Sequence, residues 1–257
     1  MQIHHTAIID SKAQLAKDVS IGPYSIIGSE VEIGEGSIIG PHVQINGRCL
    51  IGKNCEIYQG ASLGGNPQIL KFDFDTPSSI KIGDRTQIRE YVTVHRSGFE
   101  NGVTQIGEDC LLMAYTHVAH DCIIGNHVVM VNYTGLPGHV IVEDRAFISG
   151  LVGVHQFVRI GKYSMVAGMS AVRKDVIPFA LIEGTPARLV GVNFVGLRRN
   201  DFPTKIRSSI KLAIKMIKDP YLNTSQSVEK IKSEIEMNPE IRYLIDFINA
   251  SSRGITK

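Results

Sequence analysis

An aliphatic side chain recurs at every sixth position along most of this chain. From Ile3 the series runs through Ile9, Leu15, Ile21, Ile27, Ile33, Ile39, Ile45, Ile51, Ile57 and Leu63, resumes at Ile82, Ile88 and Val94, and continues from Ile106 to Val172. Four places after the aliphatic residue stands a small or β-branched one, as at Ala7, Ala13, Val19, Ser25 and Val31, and glycine often follows it directly, as at Gly22, Gly28, Gly34 and Gly40. A helix repeats every ~3.6 residues and a strand every ~2, so neither generates a period of six. Three hexads close a triangular coil of 18 residues, with the aliphatic and small positions inside. One such coil cannot bury its own apolar face, whereas a stack of them forms a continuous core. The pattern therefore predicts an all-β parallel solenoid of about ten triangular coils, with glycine expected at the corner turns where backbone φ is most constrained.

Two interruptions and one change of period organise the rest. GGNPQILKFDFDTPSSIK, near 64–81, and HRSGFENGVTQ, near 95–105, are polar and turn-rich, and the hexads resume after each. They are expected to be loops extruded from a rigid stack, where substrate contacts concentrate. Around Pro178 the hexads stop, and beyond a connecting stretch Ile206, Ile210, Ile214 and Ile217 form a helical apolar stripe flanked by Lys205, Arg207, Lys211, Lys215 and Lys218. Two further helices are expected near 225–236 and 239–250. The domains read as 1–190, the solenoid, and 191–257, a C-terminal α-helical domain. The hexad pattern resembles the left-handed β-helix of the hexapeptide-repeat acyltransferases, which gives the coil its expected hand.

Composition excludes several classes. A formal charge of +2 and the lack of any nucleic-acid motif argue against an RNA or DNA partner. No apolar run approaches membrane-spanning length and no signal segment opens the chain, so a soluble, cytoplasmic protein is expected. Cys49, Cys55, Cys110 and Cys122 all fall on the small interior position and read as packing residues.

The chemistry concentrates in YTHVAHDC at 115–122, LPGHV at 136–140 and VHQF at 154–157. Counting by 18 from His120 gives Gly138 and then Gln156, and from Asp121 gives His139. Residues one coil apart lie about 4.8 Å from each other along an edge, so His120, Asp121, Gly138, His139 and Gln156 are expected to converge, with His155 beside them. A neutral imidazole takes the proton of an attacking hydroxyl near neutral pH, and an unhindered Gly138 amide suits an oxyanion. Asp121 is placed to orient the ring, although neighbours on an extended strand point apart. His4, His5, His42 and His127 read as surface or corner residues. A zinc site of three histidines, as in the γ-class carbonic anhydrases, is the rival reading of the cluster. The three-residue spacing of His117 and His120 does not match the wider spacing expected there, so no metal is expected.

Beyond these spacings the chain resembles the UDP-N-acetylglucosamine O-acyltransferases that open lipid A synthesis. The likeness extends over nearly all of the chain, through IGDR, IRE and VHR at 82–96, HVAHDC, GHV, VHQF and GVNFVGLRR at 191–199. It implies a homotrimer with active sites between subunits, no metal or cofactor, and transfer of an (R)-3-hydroxyacyl group from acyl carrier protein to the 3-position of UDP-N-acetylglucosamine. His120 then matches the general base, Asp121 its partner and Gly138 the oxyanion donor. Lys71, His117, His139, His155 and Gln156 match substrate-contact positions, Gln68, His95, Asn193 and Arg199 match the sugar-nucleotide and phosphate site, and Gly168 matches a position gating acyl-chain length. Ile69, Val195 and Asn200 stand where the family carries Asp, Glu and Arg, which leaves a 3-amino analogue of the sugar open as acceptor. A related N-acyltransferase carries an extra N-terminal domain, which hexads beginning at Ile3 argue against. A non-catalytic β-helix scaffold is the alternative from another class. The basic flank of the 206–218 stripe reads either as solvated surface or as a docking patch for the acidic carrier.

Overall fold

The computed structural model describes residues 2–257 as a left-handed parallel β-helix with a helical C-terminal region. Short strands, most of two residues, stack into three faces of eleven, nine and eight strands. On the first face Gln2 pairs with Ser20 and Ile3 with Ile21, a register of one 18-residue coil. The first face closes with a hairpin, Ala180–Gly184 running antiparallel to Ala187–Val192. Ser62 pairs with Thr93, 31 residues on, so the first loop adds thirteen residues to a coil of 18. Thr93 pairs with His117, 24 residues on, so the second loop adds six.

The aliphatic row forms the core, with Ile27, Ile45, Ile88, Leu112, Ile148 and Val166 all at most 1% exposed. At several polar interior positions the hydroxyl bonds the backbone of the next coil, as where Ser25 Oγ donates to Gly40 O at 2.7 Å and accepts from Val43 N at 3.0 Å. The hydroxyl is thereby buried without an unsatisfied donor. The four cysteines are buried and free, and burial pushes the Cys122 thiol up to about 12, which leaves it an inert packing group.

The glycine expectation is corrected by the backbone. Corner positions at positive φ are held mostly by larger residues, including Tyr115 (62°), Asp121 (61°), His127 (55°), Tyr133 (62°) and His139 (64°). The glycines that follow the aliphatic row answer to spacing instead. A β-carbon on Gly22 would stand 2.7 Å from the Gly40 carbonyl carbon, and one on Gly83 would stand 2.6 Å from that of Gly107. Successive coils pass too closely there for any side chain.

Beyond the hairpin, a short helix α1 (Phe194–Arg199) leads into α2 (Thr204–Lys218), α3 (Thr224–Glu234) and α4 (Pro239–Asn249). The sequence pattern left α1 unassigned, since six residues are too few to show a period. Asn193, Asn223 and Asn238 cap α1, α3 and α4 through their side-chain oxygens. Ile210, Ile214 and Ile217 are buried against the other helices and the hairpin, with Ile206 at the margin. The chain then returns to the last coil, where Ile255 pairs with Asp175. Among the described residues no helix is long and apolar enough to cross a membrane.

Candidate active site

The three corners of the prism carry different chemistry. The corner between the first and second faces presents stacked rings, Tyr91 on Tyr115 and Tyr115 on Tyr133, each pair 5.1 Å between centroids. The corner between the second and third faces carries His120 and the ladder Asp121, His139, Phe157, one residue per coil and all at positive φ. The helical region meets the remaining corner, where Asn193 Nδ2 donates to Tyr163 O and Arg145 donates to Asn200 Oδ1.

His120 is buried at 7% exposure, and its Nδ1 lies 2.7 Å from Asp121 Oδ2. The left-handed backbone at Asp121 removes the alternation of an extended strand, so two sequence neighbours face each other. An Nδ1–H donated to this carboxylate leaves the Nε2 lone pair as the base. The ring lies against Gly138: a β-carbon there would stand 2.7 Å from His120 Nε2 and 3.0 Å from Nδ1. Among the described residues nothing accepts the Gly138 N–H, which stays available to an oxyanion.

Around this pair the other imidazoles are held neutral. Burial, reinforced by His117 and His120, pushes His95 down to about 4. Burial, then His120, lowers His117 as well. His139 is lowered by burial, against the opposing pull of Asp121. His117 Nδ1 pairs with Thr93 Oγ1 at 2.7 Å, and its ring meets His95 edge-on at 5.0 Å. His95 Nδ1 is buried without a hydrogen-bond partner. His139 meets His120 edge-on at 5.1 Å and stacks on Phe157 at 4.4 Å. Potential ligand atoms of His120, Asp121 and His139 lie within 4.8 Å of one another, but His120 Nδ1 and Asp121 Oδ2 already satisfy each other.

The remaining candidates divide. Gln68 and Lys71 are exposed on the first loop, and Ile69 reaches toward Gly98, where its Cδ1 leaves only 2.6 Å for a β-carbon. His155 is exposed and takes a bond from Arg253 at 3.1 Å, two coils along the stack from His120, with exposed Gln156 beside it. Asn193, 6% exposed, spends its amide on capping α1 and holding Tyr163. Arg199 and Val195 are exposed on α1, at a corner of the prism that does not carry His120.

Two groups escaped the sequence reading. Ser97 and Gly98 bind the Asp121 carboxylate, Ser97 through Oγ to Oδ1 and Gly98 through N to Oδ2 at 3.2 Å. They sit in a loop whose insertion breaks the 18-residue count, so no spacing pointed to them. On the second face, Gly135 and Gly153 pair side by side with nothing within 4 Å of where a β-carbon would stand. They give a stretch of the second face bare of side chains beside His117, while exposed Gly168 lies at the corner between the first and second faces against Gly150. That signal was present, since both glycines occupy positions where other coils carry side chains.

Comparison with known proteins follows this geometry closely. The family model for UDP N-acetylglucosamine O-acyltransferase, domain 2, matches residues 175–256, and that for bacterial transferase hexapeptide repeats matches 30–65 and 104–138. The acyl-(acyl-carrier-protein)–UDP-N-acetylglucosamine O-acyltransferase of Thermodesulfovibrio yellowstonii is 47% identical over 100% of this chain and 99% of its own. The solved UDP-N-acetylglucosamine acyltransferase of Bacteroides fragilis superposes with a TM-score of 0.96 at 38% identity, over 99% of both chains. The corresponding structure from Acinetobacter baumannii gives 0.94 at 41% identity over all of both chains.

Proposed function

The chain belongs to the UDP-N-acetylglucosamine O-acyltransferase family, and from that premise we propose how its own residues carry the reaction. It is an acyltransferase that moves an acyl group from acyl carrier protein to UDP-N-acetylglucosamine. His120 Nε2 removes the proton of the sugar 3-hydroxyl, and that oxygen attacks the carbonyl carbon of an (R)-3-hydroxyacyl thioester. The Gly138 N–H meets the developing oxyanion. The tetrahedral intermediate then collapses with cleavage of the carbon–sulfur bond, and the His120 imidazolium returns its proton to the departing thiolate. Asp121 holds the ring in the required tautomer and stabilises its cation. Nothing in these steps calls on a metal or cofactor.

The observation that carries this reading is the His120–Asp121 pair pressed against a glycine whose amide is free. His95 and His117 supply neutral hydrogen-bonding groups beside it, and Lys71 and Gln68 reach in from the first loop. The bare surface at Gly135 and Gly153 gives the acyl chain its path, and Gly168 is its chain-length position. Asn193 and Arg199 stand at a different corner of the prism, so one chain alone cannot bring them to His120. A homotrimer with its sites between subunits resolves this, because a neighbouring copy supplies the missing corner. In domain terms, 1–190 carries the chemistry and 191–257 the docking and assembly surfaces.

The test is a chelator-treated assay with a panel of (R)-3-hydroxyacyl carrier-protein thioesters and UDP-N-acetylglucosamine, read by product mass. Acylated sugar nucleotide supports the mechanism and fixes the chain length. Product only with the 3-amino analogue assigns the Ile69 and Val195 departures to acceptor choice, and silence with both overturns the reading. His120→Ala is expected to lower turnover by about 10² to 10⁴ while leaving the fold intact.

A further inference from the structure

Arg96 is 7% exposed, yet no carboxylate among the described residues lies within ion-pair distance of it. Its guanidinium is spent on the first loop instead. Nε donates to Asn66 Oδ1 at 3.0 Å, Nη1 to Thr76 O and to Ser78 Oγ (2.8 Å), and Nη2 to Phe74 O at 2.9 Å, while the plane covers the Phe72 ring. A buried cation gathers oxygen acceptors from a loop that would otherwise have none in common.

The next residue faces the other way. Ser97 is fully buried, and its hydroxyl donates to Asp121 Oδ1 while accepting from Phe99 N at 3.1 Å. Its carbonyl accepts from Ser78 Oγ at 2.6 Å, and its N–H points to Ser79 O at 3.4 Å. A β-carbon on Gly102 would overlap Ser97 Oγ, so the second loop is shaped around this hydroxyl. Asp121 is then fixed from three sides, by Ser97, by the Gly98 N–H and, through its own N–H, by Thr104 Oγ1 at 2.8 Å.

We propose that Ser97 is a positioning residue for the His120–Asp121 pair and that Arg96, beside it in the chain, is a positioning residue for the loop bearing Gln68 and Lys71. This junction sets the geometry of proton transfer and of the substrate loop from one dipeptide. The inference rests on His120 acting as the base, and the two residues separate by readout. Ser97 acts on the chemical step through Asp121, whereas Arg96 acts on binding.

The experiment measures kcat and KM for Ser97→Ala, Ser97→Cys, Arg96→Lys and His120→Ala, each checked by thermal melting. Ser97→Ala is expected to lower kcat about tenfold with KM for the sugar nucleotide within threefold of wild type. A fall in kcat at constant KM and unchanged melting temperature is the readout that a merely structural role of Ser97 would not give. Ser97→Cys, a weaker donor of similar shape, is expected to fall between, and it decides the matter if the alanine variant does not fold. Arg96→Lys, which keeps the charge but loses the fork, is expected to raise KM about tenfold with kcat within threefold. A folded Ser97 variant with wild-type kcat, while His120→Ala is inactive, overturns the positioning role alone. An active His120→Ala overturns the base and the inference together. An Arg96→Lys variant with unchanged KM overturns the loop half of the proposal.

Discussion

At Gly138 a β-carbon has nowhere to go: it would stand 2.7 Å from His120 Nε2 and 3.0 Å from Nδ1. Gly138→Ala must therefore push the imidazole out of line with Asp121 or move the coil. Such overpacking costs about 1–3 kcal/mol. The expected outcome is a kcat reduced by at least about tenfold, a loss comparable to that of other small displacements at a reacting centre. Kinetics combined with a urea melt checks both parts, and an alanine variant of full activity would mean that the ring does not rest there during turnover. The sequence placed Gly138 under His120 by counting coils. What counting could not give was the left-handed conformation at Asp121, which lets adjacent side chains pair, or the grip of Ser97, which comes from a loop outside the repeat.

Helix α2 turns its isoleucines to the hairpin and leaves Lys211 and Lys215 exposed, without an ion-pair partner among the described residues. Lys205 is engaged by Glu236 at 2.7 Å, and Lys218 donates to Val190 O at 2.9 Å. Arg207, half-buried, donates to Thr204 Oγ1 at 2.8 Å, so Lys211 and Lys215 are the exposed members of the basic flank held by neither an ion pair nor a hydrogen bond and open to an acidic carrier. Replacing both by Glu is expected to raise KM for the carrier thioester, more at low salt than at high, because exposed charges are screened over about 10 Å at 0.1 M ionic strength. Initial rates at two ionic strengths measure this, and an unchanged KM returns the flank to solvated surface. The stripe in the sequence located this helix because a buried face imposes its period. Short α1 carried no period, and only its contacts with Tyr163 and Arg145 place it.

For the whole molecule, folding is linked to pH through the histidines buried at the site. His95 is pushed from 6.5 down to about 4, so between those values the unfolded chain binds more protons than the folded one. The stability this neutral imidazole permits is intact above the unfolded value and drains away as pH falls toward about 4. Replacing His95 by Gln is expected to flatten that part of the stability profile, read from urea midpoints across the range; an equal slope in both proteins would show that His95 does not carry the linkage. The architecture itself was written in the chain. A period of six can be buried only by stacking coils, so the hexads determined the solenoid, its interior row and the one-coil register of His120, Gly138 and His139. Tertiary structure alone decided why glycine follows the aliphatic row, how the second loop locks onto Asp121, and that His120 and Arg199 occupy different corners. These depend on distances between segments far apart in sequence, which a local period does not encode.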